Sequence, residues 1–415
     1  MAEELGRRLA AWRASAARAV DWLAGSPSPY ADLARATIVW LATRAVLALF
    51  VYLAGQHYEC SGPRCTDRRF FPDNIVLNAL FQWDALQFSS VIKHGYYTGA
   101  GFITTAPYFP GFPLLAWLVG KLVGSPLLGG ILLNNVSAIL AAALLAQLVR
   151  RLGVAAAGSD PDRTAREATL FWLASPLTLF FSVFLSEAFF GLAVVGLLWA
   201  VATGRWPVAL VAGVAATATR SAGALVVAAA ALLAWERRDR TPVPWWGWAC
   251  VLSGFAGLAA FMLYQHVALG DAWAWMHAQE QWDRMLVWPW RTVADWLGLP
   301  AIGGGAADPS PLRIDRMYQT QELIALAVTA PLLFLRARLR IPRSVWLLGI
   351  GIWLLPLLGN SLISSARYQA GNIYFAMAIP ALIAHRPLVR GLVWMLFGMV
   401  LAWYASTFSM GNWAT

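Results

Sequence analysis

The sequence predicts an all-α integral membrane protein, built as one polytopic domain over residues 1–415. Three observations carry this. Of 415 residues, 59% are hydrophobic and 13% charged, where a soluble domain carries about a quarter charged. The mean hydropathy is +0.59. The apolar residues fall in blocks, several of them close to the roughly 20 residues that cross a hydrocarbon core. This composition excludes a disordered or fibrous chain, a disulfide-stapled miniprotein and a DNA-binding domain. The formal charge of +10 marks basic cytoplasmic loops, and no nucleic-acid partner is expected. All 31 basic residues except Lys93 and Lys121 are arginine, a bias of GC-rich coding.

Residues 1–25 place Arg7, Arg8, Arg13 and Arg18 among Leu5, Leu9, Trp12 and Trp22. That pattern predicts an amphipathic helix on the cytoplasmic surface, without the apolar core of a signal peptide; a frayed polar tail is the alternative. Spans are expected at about 33–54, 127–149, 166–184, 187–203, 207–219, 222–235, 245–268, 319–335, 344–361, 372–385 and 389–407. That makes about 11 transmembrane helices, with the N-terminus inside the cell and the C-terminus outside. The short pair at 207–219 and 222–235 is read as a hairpin broken at Arg220. A single long span there would leave Arg205 and Arg237–Arg238 on opposite faces. On this topology 19 of the 31 basic residues are cytoplasmic, in keeping with the positive-inside rule.

Two large extracytoplasmic loops are expected, 55–126 and 269–318. The first holds amphipathic helices, including an apolar stretch at 109–124 whose prolines and Lys121 favour an interfacial helix over a span. The second holds Trp273, Trp275, Trp282, Trp288 and Trp290, suited to anchoring at the headgroup level or to a lid over a lipid or sugar site. A Gly/Ala/Pro-rich linker occupies 299–312. Cys60 and Cys65 face the outside, where a disulfide between them is compatible with an oxidising compartment; Cys250 lies within a span as packing.

Charges in or beside spans are costly and default to functional candidates. Asp84, Glu187, Arg220 and Arg367 all fall near the outer face, with Arg44 deeper in the first span. Apolar residues at 77, 80, 81, 85, 88 and 92 have helical spacing, so Asp84 is expected on an interfacial helix beside Trp83. A carboxylate there suits a general base; an ordinary helix-surface Asp paired with Lys93 or His94 is the alternative. No Walker loop, dinucleotide fingerprint, H-E-x-x-H or G-x-S-x-G is present.

The segments WDALQFSSVIKHGYY (83–97), PYFPGFPLL (107–115), Asn134-Asn135, SPLTLFFSVFLSEAFF (175–190), ATATRSAGAL (216–225) and ARYQAGNIYFAMAIP (366–380) together resemble the PIG-V-like mannosyltransferases. These are polytopic glycosyltransferases of the GT-C class, whose eukaryotic member acts in glycosylphosphatidylinositol anchor assembly; this chain resembles a bacterial member. The resemblance implies a GT-C-type helical bundle in the plasma (inner) membrane. It implies transfer of mannose from polyprenyl-phosphate mannose to a lipid or glycan hydroxyl on the extracytoplasmic face, by inverting single displacement. Asp84 then corresponds to the catalytic acid of the first loop. Arg367, with Arg220 and Arg284 behind it, would hold the donor phosphate, which a guanidinium can grip bidentately. Trp83, Gln87, His94, Tyr96, Glu187 and Tyr368 are expected to line the substrate, with pairing to Arg220 as the alternative for Glu187. Gln87 stands where the family carries histidine, Leu185 where it carries tyrosine and Ala222 where it carries asparagine, departures that bear on acceptor and sugar. No cofactor is required; a divalent metal would need Asp84 and Glu187 to converge. Another donor sugar, a transporter or flippase of lipid-linked sugars, and a non-catalytic scaffold are the competing readings.

Overall fold

The computed structural model describes residues 4, 27–57, 70, 71, 73–99, 104–282, 284–297 and 316–409. The surface helix expected over 1–25 (Glu4 apart), the Cys60–Cys65 pair and the 299–312 linker lie outside these residues. All regular structure among the described residues is helical. In chain order, α1 (Pro29–His57) leads to α2 (Ile75–Ala79), α3 (Asp84–His94), α4 (Gly111–Val123) and α5 (Pro126–Leu152). Next come α6 (Pro161–Ala174), α7 (Glu187–Thr203), α8 (Trp206–Thr219) and α9 (Gly223–Glu236). α10 (Trp245–Leu252) and α11 (Ala256–Leu269) form one run through a 3₁₀ turn. The short α12 (Ala274–His277) and α13 (Pro289–Leu297) precede α14 (Arg316–Thr329), α15 (Arg343–Leu358), α16 (Ser365–Ala370), α17 (Ile373–Ile383) and α18 (Pro387–Ser409).

Four helical runs are long and apolar enough to cross a membrane: α1, α5, α10–α11 and α18. Shorter apolar helices fill the rest of the bundle, α4, α7, α8, α9, α15 and α17 among them. The predicted break at Arg220 is present, with α8 and α9 as separate helices on either side of it.

The expected span at 166–184 is corrected. Its helix, α6, ends at Ala174, and a 3₁₀ turn follows over Pro176–Phe181. Ser175 is extended (φ −68°, ψ 160°), as a residue preceding proline prefers to be. A break at this depth leaves backbone carbonyls without helical partners, a costly state away from water. Arg44 of α1 supplies the donors. Its Nη1 donates to Thr178 O (2.8 Å) and Ser182 Oγ (2.7 Å), and its Nη2 to Leu173 O (3.2 Å) and Thr178 Oγ1 (3.1 Å). Its guanidinium also lies 4.0 Å from the Trp40 ring centroid. The arginine within the first span is thus a structural stitch.

α5 is the centre of the bundle and packs on α1, α4, α6 and α7. Ala138, Ala141, Ala142 and Ala146 on it are fully buried; small side chains let helices approach closely where lipid gives no hydrophobic drive. At Gly129 a Cβ would collide with the backbone of α4 at Ala116 and Gly120, so the two backbones touch there. α7 is buried on nearly every side, as expected of a helix apolar all round. These two helices fix the height of the segment that precedes Glu187.

Candidate active site

Four segments far apart in sequence deliver the charged side chains. α3 begins at Asp84, and Trp83 before it adopts φ 54°, ψ −119°, a strained conformation for a bulky residue and one that concentrates at functional sites. α7 begins at Glu187. Both carboxylates therefore sit at the positive end of a helix dipole. Arg220 lies in the break between α8 and α9, and Arg367 in the last turn of α16.

They form one network. Arg367 Nη2 donates to Asp84 Oδ2 at 2.8 Å, and Arg367 Nε pairs with Glu187 Oε1 at 2.6 Å. Arg220 Nη2 donates to the same Glu187 oxygen at 3.1 Å. The Tyr108 hydroxyl donates to Asp84 Oδ1 at 3.3 Å. The Arg220 guanidinium lies 5.4 Å from the Tyr368 ring centroid, and the Arg284 charge also acts on the Tyr368 hydroxyl. Arg284 itself has no carboxylate partner among the described residues. Two acids and three arginines leave the cluster one positive charge in excess. Glu187 is 2% exposed, and its Oε2 has no hydrogen-bond partner among the described residues.

The electrostatics follow from this arrangement. Burial works to raise the Asp84 carboxyl, but Arg367 by charge and hydrogen bond, then Arg284 and Arg220, outweigh it and hold Asp84 below the usual carboxylate value. Burial and the Asp84 charge push the Tyr108 hydroxyl well above the usual phenol value, so it stays a donor. Burial works to raise Tyr368 as well, and Arg284, Arg220 and Arg367 more than offset it. Burial works to neutralise Arg367, and Glu187 with Asp84 reverses that and holds it charged.

Of the residues expected to line a substrate, Tyr96 Oη donates to the Tyr108 backbone carbonyl at 2.6 Å and so props Tyr108 behind Asp84. Trp83 is adjacent and about one-third exposed. Gln87 is half-buried one turn along α3, and His94 is exposed at its far end, about 15 Å of helix from Asp84. Neither Gln87 nor His94 joins the charge network. Asp84 and Glu187 do converge, but on the guanidinium of Arg367, which bridges them.

The loop before Glu187 is held from outside its own segment. Asn134 Nδ2, fully buried on α5, donates to the carbonyls of Val183 (2.6 Å) and Leu185 (2.7 Å). Asn134→Leu is expected to leave the Leu185 carbonyl unpaired and the Val183 carbonyl with only the Leu185 N–H, and to lower stability by about 1–3 kcal/mol, read as the melting temperature of the purified protein. A melting curve that matches the unmodified protein would remove this anchoring role.

No family model and no curated protein sequence matches the chain. Its structure is similar to that of an Archaeoglobus fulgidus oligosaccharyltransferase tethered to an acceptor peptide (TM-score 0.39, 12% identity, 90% of this chain and 55% of that one). The apo form of that archaeal protein gives TM-score 0.38 and 13% identity over 90% and 55% of the two chains. Its complex with an inhibitory peptide and dolichol-phosphate gives TM-score 0.39 and 13% identity over 89% and 55%. The chain spans about half the length of these proteins.

Two contributors escaped the reading of the sequence as site residues. Tyr108 lies in the PYFPGFPLL segment, an aromatic motif in which nothing marks one hydroxyl as the partner of an acid. Glu322 is 2% exposed on α14, and its Oε2 accepts the backbone N–H of Ala366 at 2.5 Å, fixing the start of α16 just ahead of Arg367. An acid inside an apolar span was visible in the sequence and marks such a role.

Proposed function

We propose that the chain is a GT-C glycosyltransferase that moves mannose from polyprenyl-phosphate mannose to a lipid or glycan hydroxyl at the extracytoplasmic face of the plasma membrane. The observation that carries the reading is the convergence of Asp84, Glu187, Arg220 and Arg367. Each stands in a different one of the motifs that resemble the PIG-V-like enzymes, and 283 residues separate the partners of the Asp84–Arg367 bond.

The chemistry divides among the residues. Asp84 takes the proton from the acceptor hydroxyl as that oxygen attacks the anomeric carbon. The anomeric C–O bond to phosphate breaks, and polyprenyl phosphate leaves with both electrons. Negative charge grows on the departing phosphate, where preorganised donors lower the barrier most. Arg367, Arg220 and Arg284 fill that role, and the excess positive charge of the cluster suits an anionic donor. Arg367 must then exchange Asp84 for phosphate, which frees the carboxylate at the moment a base is needed. Glu187 keeps Arg220 and Arg367 in place. No metal is routed through this scheme.

In a strain lacking the gene, mass spectrometry of glycolipids and glycoproteins is expected to show one class of product short of a single hexose. Restoration by the unmodified gene and not by Asp84→Asn completes the expectation. An unchanged glycan profile, or accumulation of intact lipid-linked sugar on one leaflet, contradicts it.

A further inference from the structure

A cavity of about 590 Å³ opens at the other end of the bundle, between the first turns of α1, α6 and α18 and the link that joins α17 to α18. α5 measures the separation from the candidate active site. Asn134 holds the loop before Glu187, and Arg150 reaches Asp32 at the start of α1 at 2.5 Å. Those two positions are sixteen residues apart, about 24 Å along a helix.

The charges around the cavity do not cancel. Arg35 and Arg150 share Asp32, and Arg150 also holds Asp162 at 2.6 Å. Glu167 pairs with Arg390 and accepts from Trp394 Nε1 at 3.2 Å. Asp160 is engaged as the cap of α6, accepting from the Asp162 N–H. Arg163 and Arg166, which line the cavity, have no ion-pair partner among the described residues. His385, also in the lining, has a buried Nδ1 with no hydrogen-bond partner among the described residues. α6 and α18 both begin here, at Pro161 and Pro387, so their positive dipole ends add to the two spare arginines.

The remaining wall is apolar. Ile38, Val39 and Leu170 line the cavity. Ile38 and Leu41 on α1, with Leu388 and Leu392 on α18, carry exposed apolar surface onward from it. α1 and α18 pack together, so this surface is continuous with the cavity mouth.

We propose that the cavity binds the phosphate of an anionic membrane lipid, with its acyl chains along the exposed apolar faces of α1 and α18. Two guanidinium groups without an ion-pair partner among the described residues match a phosphate, which guanidinium binds in the strong, charge-assisted manner. The phosphate is chemistry that a lipid shares with free phosphate; the apolar wall assigns the lipid. The inference is independent of the proposed transfer reaction and concerns the opposite face of the bundle.

The test is native mass spectrometry of the full chain in neutral detergent with dioleoyl phosphatidylglycerol, dioleoyl phosphatidylcholine or inorganic phosphate. Phosphatidylglycerol adducts are expected to exceed phosphatidylcholine adducts. The double variant R163A/R166A should lose about tenfold in phosphatidylglycerol occupancy, as expected when charged hydrogen bonds are removed. Ile38→Trp, which fills the mouth and keeps the charges, should also lose it. R238A/R240A, which removes an exposed arginine pair outside the cavity, should not. Unchanged melting temperatures establish that the variants fold. Equal binding of the two lipids, equal losses in the two arginine double variants, or full displacement of the lipid by millimolar inorganic phosphate would overturn the proposal.

Discussion

Asp84→Asn is expected to slow transfer by about 10²–10⁴-fold, the usual worth of a positioned general base, while the protein stays folded. The amide keeps the size of the side chain and one acceptor oxygen, but it cannot take a proton and it gives up the charge that pairs with Arg367. Arg367 retains Glu187 at 2.6 Å, so the stability change should stay within about 1–2 kcal/mol. Donor affinity should hold or improve, because one of the two carboxylates that compete with phosphate for Arg367 has become neutral.

The same pairing sets the pH dependence. With its carboxyl held below the ordinary 3.8 by Arg367, Asp84 is ionised in the unliganded protein across the neutral range. A carboxylate with a lowered folded value contributes stability above its unfolded value and loses it as pH falls through the lower one. The ion pair should therefore persist until the medium is more acidic than 3.8. In kcat/KM, which reports the free enzyme, Asp84 should give no acid limb between about pH 5 and 8. In kcat a limb should emerge at higher pH, because donor phosphate draws Arg367 away and leaves burial to act on the carboxyl. An acid limb near neutrality in kcat/KM that disappears in Asp84→Asn would contradict the free-state pairing.

Arg367→Ala has the larger structural effect. It removes both ion pairs made by a guanidinium whose side chain is 11% exposed, beside a Glu187 side chain at 2%. Removing one member of a buried pair typically costs about 3–5 kcal/mol, because the partner is left buried and uncompensated. Arg220 at 3.1 Å from Glu187 softens this toward the lower end. The melting temperature should fall clearly and transfer should be lost. Arg367→Lys separates charge from fork geometry. Lysine keeps a cation but lacks the fork that lets Arg367 hold Glu187 through Nε while Nη2 turns from Asp84 to phosphate. The donor KM should rise by about 10- to 100-fold, one charged hydrogen bond's worth, with the fold retained. A lysine variant with unchanged donor KM would separate Arg367 from phosphate binding.

How far the molecule could be read in advance differs from place to place, for physical reasons. Apolar blocks dominate helix formation in such a chain, so α1, α5, the α10–α11 run and α18 were legible from hydropathy alone. So was the break at Arg220, because charge at both ends of a long apolar segment conflicts with a single crossing. The interruption of 166–184 was not read, although its cause, the proline at 176, stands in plain sight; hydropathy averages over a residue that acts on backbone geometry. Arg44 was visible as a charge, and its task only emerges once the freed carbonyls of Leu173 and Thr178 are located beside it. At the site, the acids and arginines stood out because charge is scarce here. The Glu187–Arg220 pair was open to expectation as well; the Asp84–Arg367 pair was not, since 283 residues separate its members and only the folded bundle brings them together. Tyr108 and Glu322 were hidden differently: one in an aromatic motif, one as a single acid in a span, both acting through hydrogen bonds that leave no periodic trace.

If Asp84 and the arginines around it carry out sugar transfer from a lipid phosphate, donor cleavage and product formation must depend on Asp84 together. The most direct measurement reconstitutes the purified protein in liposomes with radiolabelled polyprenyl-phosphate mannose and a membrane lipid extract. The account predicts that label appears in a new product in step with release of polyprenyl phosphate, and that Asp84→Asn abolishes both. Consumption of donor at an equal rate by the Asp84→Asn protein, or movement of intact donor across the bilayer without cleavage, would contradict it.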